Sequence, residues 1–379
     1  MLKFHKTISL LVIITFAATT TAWSGPKFCL RQRAALERNH GFEIVGDREV
    51  CLGVHLVKLK FRKEGRFAEG WVFVIQPWAV DMNVEVYADA FGYNFYNNAI
   101  TKALAERISA ETGRTINHKK APGKRIEELI EKLPPDEKQR LITAGPAMQS
   151  TWTPNGLAIA GGRLITRTAP GVNQTPEQFD RLKGIGGAIK LNGLFNVFVI
   201  NSKTGRTGNR WINFEEGVPK EDVSDILLAV SGPPMLVQGN DVSSRIKGHK
   251  GLCPMSAFEL NWDPAAIVTS FAGLGKDIDG NIIYAAFVGD MLCSDLVGLQ
   301  PLFNLVDLML GPGSIDINIY VRGEETNLLC KPSRHSDTAS EYPEGRPLGA
   351  IFYVLEKEFP RWEDVVNYLL EQEIALQGI

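Results

Sequence analysis

Short runs in which apolar residues alternate with polar ones recur along this chain and predict many β-strands. The clearest early run carries Val54, Leu56, Leu59 and Phe61 among polar neighbours, and residues 71–76 and 84–88 have the same character. Further short apolar runs predict the remaining strands, at residues 157–160, 163–166, 188–191, 196–201, 226–230, 235–237, 266–271, 282–288, 315–321 and 349–355.

Helical periodicity is confined to a few segments, at residues 99–112, 126–132, 301–310 and 362–376. The second of these ends before Pro134 and Pro135, which a helix cannot easily continue through. Many strands with a few irregularly placed helices indicate an α+β fold rather than a doubly wound one.

The first 22 residues have the pattern of a secretory signal peptide. Lys3 and Lys6 precede an apolar stretch at residues 8–18, which is too short to span a bilayer, and small residues follow as far as Ala22. Cleavage near Ala22 is predicted, with an uncleaved anchor as the alternative, and the mature protein is expected to be secreted or periplasmic. No later segment is long and apolar enough to predict a membrane span.

The rest of the chain divides into three predicted segments. Residues 23–140 contain an N-terminal extension, the first strands and a charged helical insertion; residues 141–358 form the strand-rich main domain; residues 359–379 form an amphipathic C-terminal helix.

Charge and cysteine content exclude several classes of protein. Signal cleavage would remove two lysines and no acidic residue, so the formal net charge of −2 would become −4, which argues against a nucleic-acid partner. No cofactor motif is present and no histidines pair at metal-ligand spacing, although a divalent cation is left open. Export would permit disulfides, and a Cys29–Cys51 bond is expected among five cysteines: Cys29, Cys51, Cys253, Cys293 and Cys330.

Glycine-anchored turns beside strand-like runs are the most informative local feature. They read Pro154-Asn155-Gly156-Leu157, Lys190-Leu191-Asn192-Gly193-Leu194-Phe195, Ser231-Gly232-Pro233-Pro234-Met235-Leu236-Val237, Phe271-Ala272-Gly273-Leu274-Gly275 and Tyr320-Val321-Arg322-Gly323. Glycine allows positive φ and a close approach of backbone to a ligand, so such turns either close hairpins or gather backbone N–H groups around a polar ligand.

Taken in order over residues 140–330, these turns resemble the phosphodiester glycosidase domain family, in particular its bacterial secreted branch. That family has Pro-x-Gly-Leu, Lys-Pro-Asn-Gly-Val-Phe, Ser-Gly-Pro-Met-Leu-Val, Arg-x-Gly-Val-Gly and Leu-Asp-Gly turns, the last followed by serine. The resemblance implies a large, mostly antiparallel twisted sheet with flanking helices over residues 141–358. It also implies a carbohydrate or sugar-phosphate ligand.

Two positions depart from the family pattern. Phe271 stands at the family's arginine, and Arg322 stands at its aspartate. Because those two family residues are expected to carry phosphate binding and acid–base or metal chemistry, the departures leave two functions open. The protein either hydrolyses or binds sugar-1-phosphodiesters, or it is a non-catalytic, exported relative that binds a glycan or a partner.

Candidate site residues follow from the turns and their resemblance to the family. The catalytic candidates are Asn192, Asp290, Glu324 and Glu325, and the ligand-binding candidates are Lys190, Asn192, Gly193, Ser231, Gly232, Gly275, Arg322, Gly323 and Thr326. The turns at Asn192, Ser231, Gly273–Gly275 and Gly323 are predicted to meet at one mouth of the sheet. There Arg322 would bind an anion or, alternatively, pair with Glu324 or Glu325. The tryptophans Trp152, Trp211 and Trp262 are suited either to stacking on sugar rings or to core packing.

Overall fold

The computed structural model describes residues 40–86, 110, 124–147, 157–164, 193–202, 205, 207–215, 218–231, 235–238, 241–242, 268–313, 318–324, 328–329 and 348–358. The strands, β1 to β19 in chain order, are Phe42–Cys51, Val54–Lys63, Arg66–Ile75, Val80–Val86, Leu141–Pro146, Leu157–Ala160, Arg163–Leu164, Gly193–Asn201, Thr207–Glu215, Val218–Pro219, Ile226–Ser231, Met235–Gln238, Asp241–Val242, Thr269–Asp277, Ile282–Met291, Leu305–Gly313, Asn318–Val321, Leu328–Leu329 and Ala350–Glu356. The α-helices, α1 to α3, are Ile126–Lys132, Pro135–Arg140 and Leu299–Phe303, and 3₁₀ helices cover Pro77–Ala79 and Cys293–Gly298.

The strands form three antiparallel sheets. The largest has eight strands in the order β1-β2-β3-β15-β14-β16-β12-β13. A six-stranded sheet has the order β10-β9-β8-β11-β6-β7, and a five-stranded one the order β18-β17-β5-β19-β4. Strands from before and after residue 140 share two of these sheets, through the pairs β3–β15 and β4–β19. The predicted division of the chain near that residue stays a prediction.

The eight-stranded sheet is buried on both faces along its central strands. We call the face that carries Leu56, Phe73 and Tyr284 the inner face; it packs against the five-stranded sheet, where Phe352 meets Tyr284 edge-on at 5.7 Å between ring centroids. The outer face packs against residues 293–303, which contribute Leu299 and other apolar side chains. Burial on both faces explains why β3 and β15 are almost continuously apolar instead of alternating.

The other two sheets complete the core. Helix α1 covers the far side of the five-stranded sheet with Ile126 and Leu129. The six-stranded sheet has an apolar cluster of its own around Ile212 and Phe214, while its Ile200 enters the central core beneath the large sheet.

The predicted α+β fold, with helices flanking one large sheet, is wrong. The chain is mostly antiparallel β-structure divided over several sheets, and the described α-helices have only five to seven residues. Most apolar residues of the large sheet pack against another sheet or a short helical segment, so no layer of long helices is needed to cover it.

The four helices predicted from the sequence have different outcomes. The helix predicted at residues 126–132 is confirmed as α1. The helix predicted at residues 301–310 is wrong, because α3 ends at Asn304 in a left-handed conformation and β16 follows, paired to both β14 and β12. The predicted helices at residues 99–112 and 362–376 lie outside the described residues, apart from residue 110.

Candidate functional site

The predicted site residues are only partly within the described structure. Lys190, Asn192, Gly232, Glu325 and Thr326 lie outside it, as do Trp152 and Trp262. Gly193 begins β8 and Ser231 ends β11. These neighbouring strands run antiparallel, so both residues lie toward one end of the six-stranded sheet. The convergence of Asn192 with the other turns stays a prediction.

Gly273 and Gly275 do not form a turn, as the sequence suggested, but lie inside strand β14 with paired strands on either side. An added Cβ at Gly275 would lie 2.2 Å from the carbonyl oxygen of Asp307 on β16. The glycine therefore permits close contact between two backbones, which takes it out of the predicted ligand-binding mouth. Phe271 is buried in the outer-face cluster.

Arg322 is fixed in a network that joins structural elements. Its guanidinium donates to Glu356 Oε2 at 2.6 Å and to the carbonyl oxygens of Leu141 and Gln139, each at 2.9 Å. The predicted alternative of an Arg322–Glu324 pair is not found, because Glu324 pairs with Lys58 and Arg48 instead, and Glu325 lies outside the described residues. With these three acceptors the guanidinium connects the end of β17 to β5 and β19, and its predicted ligand-binding role stays a prediction.

Glu324 follows the same turn and joins the five-stranded sheet to the large one. Lys58 Nζ on β2 donates to its Oε2 at 2.6 Å, and Arg48 Nη2 on β1 lies 3.6 Å from its Oε1. Arg48 also donates to the carbonyl oxygen of Arg322 and lies against Gly323, whose φ is +79°. Glu324 is therefore a mostly buried ion-pair partner of Lys58 and Arg48, and its catalytic role stays a prediction.

Cys51, at the end of β1, is a free thiol beside this network. The expected Cys29–Cys51 disulfide is not seen, and Cys29 lies outside the described residues. Burial, together with the nearby Glu356 carboxylate, raises the pKa of the Cys51 thiol to about 12. A thiol held in its protonated form is a poor nucleophile, which argues against a catalytic role for Cys51.

A cavity of about 660 Å³ opens at the end of the large sheet's inner face, beyond the Lys58–Glu324 ion pair. We call it the β1–β3 groove. Its floor is formed by β1, β2, β3 and the end of β15, and its lining includes Glu43, Lys60, Phe67, Glu69 and Val288. Here the inner face changes from apolar to charged, because the five-stranded sheet no longer covers it.

One row of side chains crosses the groove in register. Glu43, Lys60, Glu69 and Val288 stand opposite one another on four adjacent strands. Glu43, Lys60 and Glu69 are exposed, and none of them forms an ion pair within 4 Å with another described residue. Strands lie roughly 4.8 Å apart, so alternating acceptors and donors are presented at roughly that spacing.

Aromatic side chains flank this row on β3. Phe67 is 53% exposed, and the Arg62 guanidinium lies 5.0 Å from its ring centroid. Trp71 lies on the same face, one row further into the core; it is 6% exposed, and its indole Nε1 has no hydrogen-bond partner. A buried N–H without a partner among the described residues is uncommon; it lies one row below the groove, whose lining does not include Trp71.

The sequence contains a signal for this groove that turn motifs alone miss. Along the inner face of β2, apolar Val54 and Leu56 are followed by Lys58, Lys60 and Arg62. A switch from apolar to basic residues on one face of a strand indicates that the covering layer ends there. Asp290, one of the predicted acids, lies near this end of β15 but does not line the cavity.

Neither a metal site nor a membrane helix is found in the part of the chain that the structure describes. No group of three His, Cys, Asp or Glu side chains among those residues is arranged to hold a metal ion. None of the described helices has the length and hydropathy needed to cross a bilayer.

No protein-family model matches the chain, and no curated protein matches it. Solved structures that are similar to it at low identity include the following three. The zebrafish N-acetylglucosamine-1-phosphodiester α-N-acetylglucosaminidase catalytic domain, auto-inhibited by its pro-peptide, has 11% identity and a TM-score of 0.46, with 83% of this chain and 88% of that one covered. A hypothetical protein from Synechocystis has 11% identity and a TM-score of 0.41, with 82% and 64% covered.

The third structure is a protein of Burkholderia pseudomallei proposed to be exported, with 9% identity, a TM-score of 0.43, and 77% and 74% of the two chains covered. At these TM-scores the likenesses assign neither an activity nor a ligand to this chain.

Proposed function

We propose that the protein is an exported carbohydrate-binding protein that holds its ligand in the β1–β3 groove and does not hydrolyse it. The observation that carries this proposal is the row of Glu43, Lys60 and Glu69, which is free of ion pairs with other described residues and lies beside the half-exposed Phe67. Sugar hydroxyls both donate and accept hydrogen bonds, so alternating carboxylates and an ammonium group match them.

The size and lining of the groove support a small polar ligand. A volume of about 660 Å³ lies within the range of ordinary ligand pockets. The exposed ring of Phe67 offers an apolar face on which the C–H side of a pyranose can rest, while the charged row contacts the hydroxyl groups. A single phosphate on the sugar is also accommodated, since Lys60 carries a positive charge without an ion-pair partner among the described residues.

Hydrolysis is not supported by the arrangement of the charged groups that the structure describes. Arg322 is held by Glu356 and two backbone carbonyls, and Glu324 is held by Lys58. A glycosidase also needs one carboxyl group that keeps its proton near neutral pH, which requires apolar surroundings. Glu43 and Glu69 are both exposed to solvent, so neither has such surroundings.

Export is the second part of the proposal and rests on the lysines, apolar stretch and small residues of the first 22 positions. The mature chain from its native host is expected to begin close to Trp23. A mature protein that retains Met1 and stays in the cytosol would contradict export while leaving the groove proposal untouched.

Binding is tested by titration calorimetry of the mature protein against neutral tetrasaccharides and the methyl ester of glucose 1-phosphate. Substitution Lys60→Met should weaken binding about tenfold, because a hydrogen bond to a charged group contributes roughly 1.5–3 kcal/mol and solvent replaces part of it. Lys132→Met on the exposed side of α1 is the matched control and should bind like the wild type. Equal affinities for both variants and the wild type would place the ligand elsewhere.

A further inference from the structure

The six-stranded sheet carries an exposed tryptophan that the groove does not explain. Trp211 on β9 is 61% exposed, although tryptophan usually buries most of its large apolar surface. Glu215 lies four residues after Trp211 on β9 and therefore on the same face. Val218 on β10 is paired with Glu215, so it is on this face too, and it is 64% exposed. The two side chains are separated by four residues of β9, roughly 13 Å, so Trp211 is flanked by polar side chains, and we call Trp211 with these polar neighbours the patch.

A polar amide accompanies Trp211 on this face. Asn213 lies two residues along β9, so its side chain is on the same side of the strand, and it is partly exposed. Its amide makes no hydrogen bond with another described residue, whereas its backbone N–H donates to Glu221 at 3.0 Å. Asn196 on β8 stands directly opposite Trp211 in the register.

The charged residues around Trp211 are already paired with one another. Glu215 pairs with Lys220 at 3.1 Å, and Arg210, on the opposite side of β9, pairs with Asp225 at 3.2 Å. The patch thus combines an open indole ring, a side-chain amide and neighbouring charges that are neutralised. This combination fits a neutral ligand with one apolar face and a rim of hydroxyl or amide groups, and it does not favour an anion.

We propose that Trp211 and Asn213 form a second sugar-contact site, on which a neutral pyranose ring of an oligosaccharide stacks. This inference rests on the proposed carbohydrate ligand, but not on the β1–β3 groove, which lies in a different sheet. A β-linked glucan is the expected class, because its rings carry axial C–H groups on both faces and can lie flat on an indole.

The two sites can be observed separately in one protein. Mature protein labelled with 5-fluorotryptophan should give a fluorine signal for each of its seven tryptophans. Signals lost in Trp211→Phe and Trp71→Phe assign the reporters of the patch and of the groove. Cellotetraose is then titrated, with maltotetraose as the α-linked comparison and mannitol as a polyol control.

A saturable shift of the Trp211 signal with cellotetraose, absent with mannitol, is the expected result. Trp211→Ala should then weaken the binding of cellotetraose about tenfold. Val218→Ser changes an exposed apolar residue on the same face and should alter that affinity less than twofold. A shift of the Trp71 signal alone would overturn the patch and leave the groove supported. A shift of the Trp211 signal alone would support the patch and contradict the groove, and no shift at either signal would overturn both.

Discussion

Replacing Arg322 by methionine removes the guanidinium while keeping most of the aliphatic volume, so it isolates the polar contacts. Three hydrogen bonds are lost, to Glu356 and to the carbonyl oxygens of Leu141 and Gln139. The Arg322 side chain is 23% exposed, so its ion pair with Glu356 is neither fully at the surface nor fully buried. Removing one partner of a surface pair costs roughly 0–1 kcal/mol of stability, and removing one partner of a buried pair costs roughly 3–5 kcal/mol.

We expect Arg322→Met to lower the free energy of unfolding by about 3 kcal/mol. About 1 kcal/mol comes from each of the three contacts, since water can reach part of the site and replace a fraction of what is lost. Urea unfolding should show a lower midpoint with an unchanged slope, because the surface exposed on unfolding hardly changes. Arg163→Met on the exposed edge strand β7 is the control and should stay within about 0.5 kcal/mol of the wild type.

The same variant separates a structural role from a ligand-binding one. Under conditions where Arg322→Met is still folded, its affinity for the methyl ester of glucose 1-phosphate should equal that of the wild type. A loss of stability below about 1 kcal/mol, or a loss of affinity in the folded variant, would refute the argument that this guanidinium serves the fold.

Three further predictions follow from buried contacts. Gly275→Ala should prevent stable folding, because its Cβ would overlap a carbonyl oxygen of β16, whereas an added Cβ at Gly46 lies 3.6 Å from the nearest side-chain atom and Gly46→Ala should fold. Circular dichroism compares the two variants, and a folded Gly275→Ala protein would contradict the strand packing. Asp295→Asn should cost about 2–3 kcal/mol in urea unfolding, because Asp295 is almost fully buried and holds Arg66 at 3.0 Å; a cost under 1 kcal/mol would contradict this. Burial raises the pKa of Cys51, so the contribution of this thiol to the free energy of unfolding is complete below pH 9 and is lost as pH rises toward 12. Mapped alkylation at pH 8.5 should leave Cys51 unmodified in the folded protein, and rapid modification would disprove the raised pKa.

Local sequence signals predict the elements that depend on local contacts. Helix α1 is predicted with the correct bounds because its apolar spacing and the prolines after it act within one segment. Strands β2 and β3 are likewise indicated by their own apolar residues.

Elements that depend on distant partners are missed. Strand β1 lies at the edge of its sheet, and its exposed polar centre at residues 47–49 interrupts the apolar residues on either side, so its sequence gives only a weak strand pattern. Leu305 to Leu310 has helical spacing, but pairing with β14 and β12 determines its conformation. The glycines of β14 resemble a ligand-binding turn, and only the neighbouring carbonyl on β16 shows why they are needed.

The candidate site has the same dependence on long-range structure. The turn motifs directed attention to Arg322 and Glu324, whose ion-pair partners come from distant parts of the chain. The groove is formed where the five-stranded sheet stops covering the large one, which no single motif encodes.

Binding without hydrolysis leaves the ligand intact, so the decisive experiment recovers the ligand after it has been bound. Mature protein at a concentration above that of the methyl ester of glucose 1-phosphate is incubated for a day, with and without divalent cations, and the sugar is analysed by mass spectrometry. We expect the wild-type protein to bind the diester, Lys60→Met to bind it more weakly, and the diester to be recovered intact under both conditions. Conversion to free glucose that is abolished by Asn192→Ala would contradict it.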